Sequence, residues 1–266
     1  MSSIKLPKEK FLISRRWDKA FSSLTRIASF IGRFFKEAVQ PPYEINEIIR
    51  QCYYVGYKSL TLICMTAFIT GLVFTKQSRP SLAEFGATSW IPSLVTIAII
   101  KALAPLVTAL ICAGKVGSNI GAELGSMKVT EQIEAMEVSA TNPFKFLVVS
   151  RILATTLMIP MLVFFFGGIS MIGSFVDVHL NENTSFTLFF EAAFEKIHFT
   201  DFYVSIIKSL VFGFTIGTVG CIQGYKATQG TLGVGRAANS AVVTAMFLIF
   251  IEEVVIVNIA NALRAV

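Results

Sequence analysis

The chain has 266 residues, 54% of them hydrophobic and only 15% charged, with a net charge of +6 and a mean hydropathy of +0.67. A soluble domain carries about 25% charged residues, so this much apolar surface calls for a lipid bilayer as its solvent and excludes a disordered chain. Cys52, Cys64, Cys112 and Cys221 are scattered through apolar stretches, which excludes a disulfide-rich scaffold, and the basic residues are not gathered among exposed aromatics, which excludes nucleic-acid binding.

The first 50 residues are polar and basic, with no cleavable signal peptide. On a helical wheel, Trp17, Phe21, Leu24, Ala28, Ile31 and Phe35 fall on one side, while Lys19, Arg26 and Arg33 lie opposite, with Phe30 off the apolar face. The pattern predicts a helix lying in the interface plane of an anionic leaflet, anchored by Trp17, Phe21, Lys19, Arg26 and Arg33. A soluble helix docked on a partner is the alternative. Pro41-Pro42 ends the element.

A helix needs about 20 apolar residues to cross the hydrocarbon core. Five stretches qualify: roughly 53–75, 91–113, 146–176, 202–224 and 239–262. The third contains Pro160 and Gly167-Gly168, so a tilt or kink is expected there. Ten basic residues precede the first span, three lie between spans 2 and 3, and two between spans 4 and 5, against four on the other side. The positive-inside rule therefore places the N-terminus in the cytoplasm and the C-terminus outside. The segment 177–201, with Asp177, Glu182, Glu191, Glu195 and Asp201 against Lys196 alone, suits the outer side. The expected architecture is an all-α integral membrane protein: an N-terminal region (1–50) with an interfacial helix, then one five-span domain (51–266).

Between spans 2 and 3, Ala109, Ala113, Gly117, Gly121 and Gly125 form a ridge of small residues along one helical face, which suits close helix packing. The stretch after it, about 123–138, has four carboxylates (Glu123, Glu131, Glu134, Glu137) against Lys128. Val129, Ile133 and Met136 make an apolar stripe, with Thr130 expected as N-cap and Glu131 in the first turn. A short acidic amphipathic helix on the cytosolic side suits docking into a basic groove on a soluble partner. A merely solvated helix is the alternative.

Lys101 and the pair Glu252-Glu253 fall about ten residues inside the outer ends of spans 2 and 5, which is about 15 Å deep and near the midplane. Charges at that depth face a bundle interior or wet cavity, or pair with one another. The expectation is that Lys101 and Glu253 line or close a polar cavity as an ion pair, with a purely structural pair as the alternative. Lys58 and Lys208 lie within snorkelling reach of span ends. The segment Gly230–Ala237 imitates a phosphate loop and a dinucleotide fingerprint, but has Arg236-Ala237 where Lys and Ser/Thr are needed, and no βαβ context. His179 and His198 show no metal-site spacing, so neither catalysis nor a bound metal is expected of this chain.

The run from Gly114 to Met136 closely resembles the signature of MlaE/YrbE-type permeases, the membrane subunits of ABC transporters that work with MCE proteins on lipids. Further matches are Gln51 with Val55-Gly56, Phe68–Val73 with Gln77, Lys208-Ser209 with Phe212-Gly213, Gly220–Tyr225 and Gly233–Ala237. The resemblance implies a homodimer in the bacterial inner membrane, moving phospholipid, or a sterol or other lipid. It implies a cytosolic ABC ATPase that holds ATP and Mg, a periplasmic MCE-domain protein and a small cytosolic STAS-type subunit, with no cofactor bound by this chain. It makes the acidic helix a coupling helix, so Glu123, Lys128, Thr130, Glu131, Gln132, Glu134 and Met136 are the expected contacts to the ATPase. Lys101, Glu252, Glu253, Gly71 and Leu72 are the expected lipid cavity or gate. The family's Arg-Glu-Leu-Gly-Pro in span 2 reads Lys101-Ala102-Leu103-Ala104-Pro105 here, so that acid's role does not carry over, and Glu252 is placed to compensate. An ion-driven carrier and a non-transporting membrane scaffold are the rival readings.

Overall fold

The structure is a computed structural model that describes residues 25–228 and 230–264. Trp17, Lys19 and Phe21 lie outside the described residues. The chain divides at Tyr43 into two units. The first contains helix α1 (25–39), followed by a bend through Pro41-Pro42. Proline lacks an amide hydrogen and cannot continue the helical ladder, so the helix stops before the pair. Within α1, Arg33 pairs with Glu37 one turn on, at 3.6 Å, and Phe35 is exposed.

The second unit carries five helices long and apolar enough to span a membrane: α2 (Ile45–Glu84), α3 (Thr88–Val129), α5 (Phe144–Glu182), α7 (Phe199–Tyr225) and α8 (Thr231–Arg264). Two short helices connect them, α4 (Gln132–Val138) between α3 and α5, and α6 (Phe186–Phe194) between α5 and α7. The described residues contain no strand. The expected five-span all-α architecture is therefore what the chain adopts. The spans alternate in direction, so α4 marks one end of the bundle and α6 the other. Pro160 sits inside an unbroken α5, and α2, α3 and α5 contain wide π-helical turns, at Tyr53–Tyr57, Ile99–Leu103, Ala113–Gly117 and Phe144–Val149.

Lipid tails are as apolar as leucine, so helices in a bilayer associate through close backbone approach and interhelical hydrogen bonds. The α2–α5 crossing uses both. A Cβ on Gly71 would stand 1.9 Å from the Ser170 carbonyl oxygen, and one on Gly173 would stand 2.3 Å from that of Phe68. Ser170 Oγ donates to the Ala67 carbonyl at 2.9 Å, and Thr75 Oγ1 donates to Ser174 Oγ at 2.8 Å. The small-residue ridge of α3 serves the same purpose. Gly121 packs on Ala237, Ala238 and Ala241 of α8, and Gly125 on Ala227 and Ala237. Helix α7 is the most enclosed span, with 67% of its apolar window buried, against 17% for α8. The outer face of α8, with Val243, Phe247, Phe250 and Val254, is left uncovered.

The glycine-rich stretch that imitates nucleotide loops is the entry to α8. Gly230 has φ +90°, which turns the chain into the first helical turn at Thr231, and only glycine takes that conformation without strain.

Candidate functional site

Five charged side chains of the spans, Lys101, Asp201, Lys208, Glu252 and Glu253, gather between α3, α7 and α8. Lys101 lies in the wide turn of α3, and its Nζ is 3.2 Å from Asp201 Oδ1. Asp201 is 1% exposed and stands in the first turn of α7, where its carboxylate also accepts from the His198 amide at 3.3 Å. Lys208, two turns further along α7, is 2% exposed. Its Nζ donates to the Lys101 carbonyl at 2.9 Å and to Glu253 Oε1 of α8 at 2.5 Å. Glu252 Oε1 accepts from Thr215 Oγ1 at 2.6 Å, and the second carboxylate oxygens of Glu252 and Glu253 are buried without a partner.

The expected pair of Lys101 with Glu253 is therefore not the one formed. Lys208 stands between them, bonding the backbone of one and the carboxylate of the other, while Lys101 takes Asp201. The sequence placed Lys208 near a span end, where a long side chain can snorkel. Instead its ammonium is enclosed by α3 and α8 and cannot reach water, so a carboxylate must accompany it. Asp201 shifts in the same way, from an outer-loop acid to a buried one. Gly71 belongs to the α2–α5 crossing and not to a cavity wall, because the Ser170 backbone fills the space a side chain would need. Leu72 is half-buried in the same helix.

At the α4 end, the hairpin between α3 and α4 differs in detail from its sequence reading. Thr130 is not the N-cap of the acidic helix. It closes α3, with Oγ1 donating back to the Ser126 carbonyl at 2.9 Å. The turn falls on Glu131, whose φ of +57° lies in the left-handed region. A hydroxyl that can satisfy its own helix competes with capping the next one. Ile133 is buried, Met136 and Val129 are half-buried, and Glu131, Gln132 and Glu137 face outward, so the acidic amphipathic face survives the change of cap. Lys128 bonds Glu134 across the turn, and the hydrogen bond from that ammonium, more than charge attraction, holds the Glu134 carboxyl below its ordinary value.

Glu123 does not join that outward face. Its Oε1 is 2.9 Å from an Arg151 nitrogen on α5. Arg151 is 1% exposed and donates also to the Leu147 carbonyl at 2.8 Å. At the opposite end, Arg79 of α2 reaches Asp177 Oδ2 at 2.5 Å and Glu182 Oε1 at 2.6 Å on α5. In the sequence Asp177 and Glu182 read only as acids of the outer segment, with no partner assigned. Opposite charges near the same ends of α2 and α5 were the available signal for the Arg79 cluster.

A five-span helical membrane protein with buried charges between its spans and an acidic hairpin at one end has the make-up of a transporter's membrane subunit. The comparisons make this specific: the profile described as Permease MlaE matches residues 48–259, and the chain belongs to the MlaE permease family. It is 33% identical over 248 residues to a probable ABC transporter permease protein of Rickettsia typhi, covering 93% of this chain and 96% of that one. It is 34% identical to one from Synechocystis sp., covering 88% and 89%, and 32% identical to one from Pyropia yezoensis, covering 91% of each. The chain is a multi-pass membrane permease subunit.

Proposed function

We propose that this permease moves phospholipid as the membrane subunit of an ATP-driven transporter in the bacterial inner membrane. Nucleotide and Mg are held by a separate cytosolic ATPase, as in the ABC class to which its relatives' names assign them. The N-terminus and the α3–α4 hairpin face the cytoplasm, and the C-terminus faces the periplasm, as the basic residues ask. There an MCE-domain protein exchanges lipid with the permease, and a small STAS-type subunit completes the cytosolic side. Two copies pair through the uncovered face of α8, whose exposed Phe247 and Val254 need an apolar partner or lipid.

The observation that carries this reading is the acidic outward face of α4, within a region matched by the permease profile. Ile133 packs the short helix against its own hairpin and Lys128 bonds Glu134 across the turn, so Glu131, Gln132 and Glu137 face outward together. A partner presenting a basic groove meets complementary charge there. Movement of the hairpin then passes directly into α3, because Thr130 ties the turn to the end of that span, and onward through Glu123 and Arg151 to α5.

The test is ATP-dependent transfer of fluorescent phospholipid by the permease and its ATPase in proteoliposomes. Transfer that stops when the ATPase is inactivated supports the proposal. Transfer that persists, driven by an ion gradient, makes the protein a carrier. Transfer of no lipid under any condition makes it a scaffold.

A further inference from the structure

A groove runs along the lipid-facing surface between α5 and α7, with α3 behind it, and no residue of α8 lines it. Ile100 and Ala104, both buried, form its floor. Pro160 and Ser209 stand at one end and Met171 and Phe202 at the other, where Phe194 of α6 closes it. A Cβ on Gly167 or Gly168 would meet nothing within 4 Å, so α5 leaves the middle of the groove open. Past the closed end stands Lys196, two residues beyond Phe194 and so within about 7 Å of it along the chain. Its Nζ lies 3.4 Å from the centroid of the Trp90 ring, and no carboxylate of the described residues is within ion-pair distance of it. An ammonium carries three donors, and an aromatic face orients it without neutralising it.

Length and depth identify the occupant. From Pro160 to Met171 is 11 residues of continuous helix, about 16 Å along the axis, which is half of a hydrocarbon core about 30 Å thick. Ile100 and Ala104 flank Lys101, near the midplane, while Phe202 belongs to the first turn of α7. The groove therefore crosses one leaflet, the one on the α6 side, from its middle to its surface. Trp90 precedes Lys101 by 11 residues, again about 16 Å. That sets the contact between Trp90 and Lys196 at the level of the lipid headgroups, where tryptophan is enriched. With a volume of about 100 Å³, the groove is too narrow for a helix about 10–12 Å across and takes a single chain of methylenes.

We infer that this groove seats one acyl chain of a phospholipid from the leaflet on the α6 side, with Lys196 on the phosphate of the same lipid. The site is peripheral: α5 and α7 present it to the bilayer, on the other side of α7 from α8, and the buried charges at Lys208 take no part in it. It goes beyond the transport proposal and does not depend on it, since occupancy is read without ATP or transfer.

The experiment is photolabelling of the full-length chain in phosphatidylcholine nanodiscs that carry a trace of phosphatidylglycerol with a diazirine in mid-chain, followed by peptide mapping. Label should concentrate on α5 around Gly168 and on α7 around Ile206, above its level on the uncovered face of α8. Gly168→Leu fills the groove and should bring that label down to the α8 level, while unchanged labelling of α8 shows that the variant is folded in the bilayer. Lys196→Gln should raise the lipid concentration for half-labelling of the groove about tenfold, the equivalent of one charge-assisted hydrogen bond, and Lys196→Arg should keep it. Equal labelling of the α5, α7 and α8 faces makes the contact ordinary bilayer solvation and overturns the site. Groove labelling that survives Gly168→Leu, or that ignores Lys196→Gln, overturns it as well. Labelling that disappears when a membrane partner co-purifies assigns the groove to that partner's helix, which also overturns it.

Discussion

Replacing Lys208 with methionine keeps the length of the side chain and removes its charge. In the wild type the ammonium is 2% exposed and makes two hydrogen bonds, at 2.9 and 2.5 Å. The substitution leaves the Glu253 carboxylate, whose second oxygen is already unpartnered, without a cation. Breaking a buried pair by removing one partner costs about 3–5 kcal/mol. Replacing both partners with apolar groups removes the stranded charge, so Lys208→Met/Glu253→Leu should cost much less than the sum of the single changes. A coupling of about 2–4 kcal/mol is expected, on a total stability of about 5–15 kcal/mol. Equilibrium unfolding in mixed detergent micelles, run on the four proteins of the cycle, measures it. Additivity within about 0.5 kcal/mol would show that Lys208 and Glu253 do not act as a pair. Lys101, whose side chain is 35% exposed at its contact with Asp201, should show a smaller coupling in the matching cycle.

Gly71→Ala forces a Cβ against the Ser170 backbone and should reach the upper end of the about 1–3 kcal/mol cost of overpacking, whereas Gly167→Ala, with open space around it, should stabilise by about 0.5–1 kcal/mol; thermal unfolding in detergent reads both. Glu123→Arg and Arg151→Glu should each lower lipid transfer per ATP hydrolysed, and the exchanged double variant should recover part of it; no recovery would argue against a direct link. Glu131→Val places a β-branched residue at φ +57° and should destabilise the hairpin by about 1–3 kcal/mol, while Glu131→Gly should be tolerated, as hydrogen exchange of α4 can report. Because the folded Glu134 carboxyl lies below its ordinary value of 4.5, its contribution is present above that pH and is lost as the pH falls through the folded value. Hydrogen-exchange protection of α4 should fall over that window in the wild type and not in Glu134→Gln.

The spans were legible because a run of about 20 apolar residues has few other solutions, and the α3 ridge because glycine and alanine at every fourth position admit a neighbouring backbone. What the sequence concealed was partner choice. Lys101 and Glu253 sit at matching depths, and depth alone suggested that they meet. Which charge meets which depends on the rotation of α7, and nothing in its own sequence distinguishes a snorkelling Lys208 from a buried one. Thr130 illustrates the same limit locally, since its hydroxyl can cap the helix ahead or bond the one behind. Arg151 was hidden because it falls inside the third apolar stretch, where nothing in the sequence names a partner for it. Only the crossing of α5 with α3 and α7 shows that it is buried. Gly71 was assigned to a cavity by resemblance, where the packed α2–α5 contact leaves no room for one.

The central claim is that the acidic hairpin couples an ATPase to lipid movement through this chain. It is tested most directly by transfer of fluorescent phospholipid from proteoliposomes containing the permease and its ATPase, comparing wild type with Glu131→Lys/Glu137→Lys. ATP-dependent transfer is expected in the wild type, with loss of both transfer and ATPase association in the variant while the permease itself stays folded. Undiminished ATP-dependent transfer by the charge-reversed hairpin would contradict it.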